Sequence, residues 1–157
     1  MLIRESFAVD VPTADVWAFF EQIERVARCV PGVQQVETVA ADSYKLIVTQ
    51  KVGFISATFE MTTRVTARAP LQYLELSSVG KSIKGAAGNL RSKERVEFAP
   101  AERGTRVTLT SDLAVGGMLG ALGHKVIVSK SKELTAAFAE ALRAALLSSA
   151  GDLGQTV

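Results

Sequence analysis

Few side chains in this sequence are suited to acid–base, nucleophilic or metal chemistry, and they are scattered along the chain. There is one histidine, His124, and one cysteine, Cys29, so no ligand set for a metal ion is indicated. Neither a nucleophile elbow nor a phosphate-binding loop is present. We expect Cys29 to pack as a small buried residue and His124 to lie on the surface. The sequence therefore predicts no metal site, no cofactor and no hydrolase-type triad.

One carboxylate is distinguished by its place in a strand pattern. Leu90 and Val96 are expected to face the core, and the alternation of side chains along a strand then turns Ser92 and Glu94 inward. A buried carboxylate is costly unless it is paired, hydrated or in contact with a polar group of a ligand. A one-residue bulge would instead turn Glu94 outward. Glu94 is therefore a candidate ligand contact.

The elements that would position these residues follow from the hydrophobic pattern. Residues 2–10 alternate as a strand, and helical spacing follows until Pro31-Gly32 ends it. Residues 33–114 alternate in short segments separated by turn residues, which is typical of an antiparallel sheet with one buried face. From Met118 to about Ser148 the spacing is helical again. We expect a bent sheet that packs on one long C-terminal helix.

Length and composition indicate a single soluble domain. The chain has 157 residues and a net charge of +2, which is too small to indicate nucleic-acid binding. One cysteine allows no internal disulfide, and no segment is long and apolar enough to span a bilayer. We expect one domain over residues 1–150 and a short polar tail over 151–157. The expected location is the cytoplasm, alone or with peripheral contact at the inner face of the membrane.

Four segments give the chain a family resemblance. They are Val16-Trp17, the ARCVPG segment Ala27–Gly32, Lys51-Val52-Gly53, and the glycine-rich segment Gly116–Gly123. In these segments the chain resembles the carbon monoxide dehydrogenase G-subunit family, within the START-like (SRPBCC) superfamily of polyketide cyclases and Bet v 1-type allergens. The resemblance implies an α+β helix-grip fold. Such a fold has a curved seven-stranded antiparallel sheet around a long C-terminal helix, with two short helices after strand 1.

The resemblance also has implications for function. It implies a non-enzymatic accessory protein that assists membrane recruitment or maturation of a molybdenum-containing hydroxylase, or that carries a quinone-like lipid. The chain departs from the family pattern at Gln22-Ile23, where Asp-Pro is usual, and at Phe54, where Pro is common. It also ends in a polar segment where many members have an apolar tail that associates with membranes, so we do not expect a tail-anchored protein.

Three functions are compatible with these observations. The first is a binding module with a hydrophobic ligand, a lipid or quinone, in a cavity between the sheet and the C-terminal helix. The residues expected to contact this ligand are Phe59, Met61, Val65, Leu76, Leu90, Glu94, Leu109, Leu122, Val126 and Phe138. The second is a cyclase- or aromatase-like enzyme with Glu94, Tyr44 or Tyr73 as its acid–base groups. The third is an adaptor with a fully packed core.

Overall fold

Strands form where apolar and polar residues alternate, and helices form where the apolar residues recur every three or four positions. The computed structural model describes residues 1–85 and 88–155, with side chains up to Ser148. The elements are β1 (Leu2–Val9), α1 (Thr13–Phe20), α2 (Ile23–Ala27), β2 (Val33–Ala40), β3 (Ser43–Val52), β4 (Ile55–Ala69), β5 (Tyr73–Lys84), β6 (Asn89–Ala101), β7 (Gly104–Gly116), α3 (Met118–Ala121) and α4 (His124–Gln155).

The seven strands form one antiparallel sheet in the order β1-β7-β6-β5-β4-β3-β2. Strands β2 to β7 pair with their neighbours in sequence, whereas β1 pairs with β7 from the other end of the chain. A register shift between Val65 and Ala67 in the β4–β5 pair is a bulge that bends the sheet. The predicted fold class, with its two short helices after the first strand, is confirmed.

The C-terminal helical region consists of two helices, not the single helix predicted from Met118. α3 ends at Ala121, and Gly123, with φ 91°, separates it from α4. A side chain at Gly123 would meet no atom within 4 Å, so the positive φ alone accounts for this glycine. α4 runs for 32 residues, which is roughly 48 Å. Residues 151–155 of the predicted tail continue α4, and residues 156–157 lie outside the described part of the chain.

Most of the large buried side chains lie in one cluster that α1, the sheet and the C-terminal half of α4 form together. Trp17 and Phe20 of α1 each meet Phe98 of β6 edge to face, with ring centroids 5.5 and 5.0 Å apart. α4 adds Leu142, which is 0% exposed, to the same cluster. We call this region the packed end; it comprises Val9, Val16, Trp17, Phe20, Phe98, Val107, Leu142 and Leu146.

Candidate functional site

A cavity of about 430 Å³ lies between the inner face of the sheet and α4. Every strand except β2 contributes to its walls, and all four helices complete them, α1 through Phe20 alone. Leu76, Leu90, Leu109 and Phe138 line it and are only half-buried. An inward-facing leucine that keeps exposed surface has no neighbour filling the space beside it. The interior therefore departs from the fully packed core of the adaptor hypothesis.

Seven of the ten predicted contact residues line this cavity. They are Phe59, Met61, Leu76, Leu90, Glu94, Leu109 and Phe138. Val65 does not, because it lies further along β4, at the bulge, and packs in the same hydrophobic cluster as the packed end.

Leu122 and Val126 do not line the cavity either. A Cβ atom built on Gly53, at the β3–β4 turn, would lie 3.6 and 3.7 Å from their side chains. The apolar spacing of one continuous helix would place both residues on the cavity wall. Because Gly123 interrupts the helix, they lie elsewhere.

Glu94 faces the cavity from β6, where it lies opposite Leu76 of β5 and Ser111 of β7. The hydroxyl of Ser92 donates a hydrogen bond to Glu94 Oε1 over 3.2 Å. Burial raises the pKa of the Glu94 carboxyl above its ordinary value of 4.5, and the hydrogen bond from Ser92 opposes part of that rise. A protonated carboxyl can donate a hydrogen bond as well as accept one.

Glu5 is a second inward-facing carboxylate, which the strand pattern of the sequence had not singled out. It lies on β1 between the buried residues Ile3 and Phe7 and lines the same cavity. Its Oε2 atom is buried and has no hydrogen-bond partner among the described residues. A buried oxygen without a donor is destabilising, so Glu5 can accept a hydrogen bond from a ligand in the cavity. The alternation of Ile3, Glu5 and Phe7 in the sequence would have identified it.

Lys130 lies opposite the carboxylates, on the wall that α4 provides. Its side chain is 14% exposed, and its Nζ atom is 3.5 Å from Glu133 Oε1. The lysine stem thus covers apolar wall while its charged end reaches Glu133, which is 71% exposed. This arrangement allows a lysine to lie among the apolar residues that α4 contributes to the cavity.

The other residues considered for chemistry do not line the cavity. Cys29 is buried and donates to the carbonyl of Arg25; burial raises the pKa of its thiol, although the Arg25 charge opposes this rise. His124 is exposed at the start of α4. Tyr73 lies beneath the Arg95 guanidinium, 3.9 Å from ring centroid to Cζ. Tyr44 packs against the hydrophobic core. Among the described residues no group of His, Cys, Asp and Glu is suited to holding a metal ion.

Sequence comparison identifies the family. The model for the G subunit of carbon monoxide dehydrogenase (CoxG) matches residues 6–147. The chain belongs to the CoxG family. The predicted resemblance is therefore confirmed. No curated protein matches this CoxG family member. In the part of the chain that the structure describes, no helix has both the length and the apolar character needed to cross a bilayer.

Solved structures share the fold of this CoxG family member. A conserved protein from Geobacillus kaustophilus is 19% identical, with a TM-score of 0.85 over 95% of this chain and 97% of that one. The Zhui aromatase/cyclase from Streptomyces sp. R1128 is 12% identical, with a TM-score of 0.65 over 93% of both chains. Ara h 8.0201 is 14% identical, with a TM-score of 0.62 over 94% of this chain and 98% of that one. Such identities show the fold alone.

Proposed function

We propose that this CoxG family member is a non-enzymatic binding module whose cavity holds a hydrophobic ligand, a lipid or a quinone. The unfilled apolar cavity carries the proposal. Its volume of about 430 Å³ is in the range of small-molecule sites, roughly 300–1,000 Å³. Apolar burial contributes about 25 cal/mol per Å², so a ligand of this kind needs few polar contacts.

The polar residues of the cavity favour a ligand that carries an oxygen function. Glu94 in its protonated form donates to a carbonyl, such as a quinone oxygen, and Glu5 Oε2 accepts from a hydroxyl. These two groups lie on β6 and β1, separated by β7, so one polar head could reach either of them. The half-buried leucines would then contact the apolar remainder.

Membership of the family supports a second part of the proposal, which is an accessory role for an enzyme. The family is named as a subunit of carbon monoxide dehydrogenase. We place this chain as an accessory partner of a molybdenum-containing hydroxylase, whose membrane recruitment or maturation it assists. Its own contribution would be to hold the ligand away from water.

A cyclase- or aromatase-like activity is the second candidate, since the Zhui aromatase/cyclase shares the fold and Glu94 faces the cavity with a raised pKa. Of the three acid–base candidates, only Glu94 lines the cavity; Tyr44 and Tyr73 do not. Cyclisation generally needs more than one positioned acid–base group. Turnover of a polyketide by the wild type that is lost in Glu94→Gln would favour this candidate over the binding module.

The test of the binding module is native mass spectrometry with lipid extraction, on protein purified gently from its own host. We expect a quinone or other lipid to accompany the wild type. Leu90→Trp should exclude the ligand, because it adds a large ring inside the cavity wall. Thr62→Trp, an exposed position on β4, is the matched control and should retain the ligand. A wild-type protein that is empty and takes up no added quinone would contradict the proposal.

A further inference from the structure

Three exposed apolar side chains lie at the end of the molecule formed by the β3–β4 turn, the β5–β6 connection and α3. Phe54 is 79% exposed, Met118 is 47% exposed and Ile83 is 46% exposed. The antiparallel order brings these positions to one end, since β3, β5 and β7 all finish there. We call this region the α3 end; it comprises Lys51–Phe54, Ile83-Lys84, Met118–Ala121 and Lys125.

Phe54 projects from a supported turn. Val52 pairs with Ile55, so Gly53 and Phe54 form a two-residue hairpin turn, with Gly53 at φ 59°. The side chains of Leu122 and Val126 pack beside Gly53 and hold the turn against the α3–α4 junction. An exposed aromatic ring on a supported turn offers apolar surface at low entropic cost to a partner.

The α3 end is rich in positive charge. The stretches 50–59, 81–93 and 113–132 contain no Asp or Glu. Their cationic residues are Lys51, Lys81, Lys84, Arg91, Lys93, Lys125, Lys130 and Lys132. A surface groove beside the β3–β4 turn is lined by Lys51, Lys125 and Lys130, and Glu133 at the same groove pairs with Lys130. Lys51, Lys84 and Lys125 lie at the α3 end with the exposed apolar side chains, whereas Lys81 lies near Glu60 and Lys93 lies opposite Asp112.

We propose that the α3 end docks on an anionic lipid bilayer, with Phe54 inserted at the interface and Lys51, Lys84 and Lys125 facing the lipid phosphates. A bilayer interface takes up an aromatic ring and attracts lysines at the same time. An acidic protein surface would take up Phe54 only if it also offered an apolar pocket at the matching place, whereas a bilayer interface offers both environments along its whole area. The purpose of docking, which is to bring the ligand cavity to a membrane, rests on the proposed function. Docking itself needs no ligand.

The experiment is flotation of the full chain with vesicles of phosphatidylcholine, alone or mixed with phosphatidylglycerol. We expect the wild type to float with the phosphatidylglycerol vesicles and to dissociate as salt is raised, because salt screens surface charge. Lys51→Gln, Lys84→Gln and Lys125→Gln should each weaken binding roughly fivefold, the factor that one lysine near such a surface contributes. Phe54→Ser should also weaken it several-fold.

Two controls make the flotation decisive. Leu147→Ser removes a side chain that is 69% exposed on the distant part of α4, and it should float like the wild type. Phe54→Trp should retain binding, and brominated lipid chains should quench the fluorescence of the introduced tryptophan. Trp17 is only 6% exposed and lies at the packed end, so the lipid should not quench it.

Several outcomes would overturn the docking proposal. They are no flotation of the wild type, unchanged flotation of Phe54→Ser, or binding of the α3 end to the hydroxylase in place of vesicles. The cavity variant Leu90→Trp separates the two proposals, since it should float normally. A wild type that floats without holding any ligand counts against the proposed function alone. A wild type that holds ligand without floating counts against docking alone.

Discussion

The packed end and the cavity share one sheet and one helix, yet their interiors are filled differently. At the packed end, α1 lays Trp17 and Phe20 against Phe98, and Leu142 of α4 is fully buried. Along the cavity, Leu134 of α4 and Leu76 and Leu109 of the sheet remain half-buried. The aromatic side chains of α1 fill the packed end. A single sheet can thus keep its stabilising packing at one end and space for a ligand at the other.

The largest effect should come from removing the aromatic contact of the packed end. Trp17→Ala deletes a side chain that is 6% exposed and removes one of the two edge-to-face contacts of Phe98. We expect the free energy of unfolding to fall by about 3–5 kcal/mol, measured by urea denaturation. Phe54→Ala, at an exposed aromatic residue, should change it by less than about 0.5 kcal/mol. Similar losses in both variants would contradict the assignment of stability to the packed end.

Two leucines on α4 provide a matched comparison of the two regions. Leu142→Ala at the packed end should cost about 2–5 kcal/mol, because it opens a void in a filled core. Leu134→Ala should cost less than about 2 kcal/mol, because that side chain already borders empty space. Urea denaturation of both variants, without ligand, measures the difference. Equal costs would mean that the cavity collapses in solution and that the two regions do not differ.

The smallest effect should be the pH dependence that Glu94 introduces. Its folded-state pKa is raised, so between 4.5 and that value the folded protein binds more protons than the unfolded chain. Stability is therefore complete below the ordinary pKa and falls as pH rises through the folded-state pKa. Glu94→Gln should remove this fall and be more stable than the wild type at neutral pH. Glu102→Gln, at an exposed turn, is the control and should leave the pH profile of thermal unfolding unchanged.

The regular part of the fold was predictable, because strand alternation is local. That alternation placed Phe59, Met61 and Glu94 on the inner face, where they lie. Irregular backbone accounts for the residues that do not line the cavity. The bulge beside Val65 depends on pairing between two strands, and the sequence pattern does not show it. The interruption at Gly123 is a local backbone feature, but the helical spacing of the apolar residues continues across it and hides it.

The unfilled space itself could not be predicted from sequence. Leu76 remains half-buried, whereas Leu74 on the same strand is 2% exposed, although both are inward-facing leucines of one alternating pattern. The alternation along one strand does not encode how closely the other elements of the fold pack on each position. Glu5 shows the converse, since its alternation with the buried residues Ile3 and Phe7 is enough to predict that it faces inward.

The pairing of β1 with β7 has a consequence for how the protein is made. Leu2 lies opposite Asp112, and the amino group of Met1 donates to the carbonyl of Leu113. The first strand therefore leaves the ribosome long before its partner exists. At about 5–20 residues per second, synthesis of the intervening chain takes roughly 5–20 s. During that time Ile3 and Phe7 are uncovered, so the nascent chain presents an apolar segment that a chaperone can hold until β7 arrives.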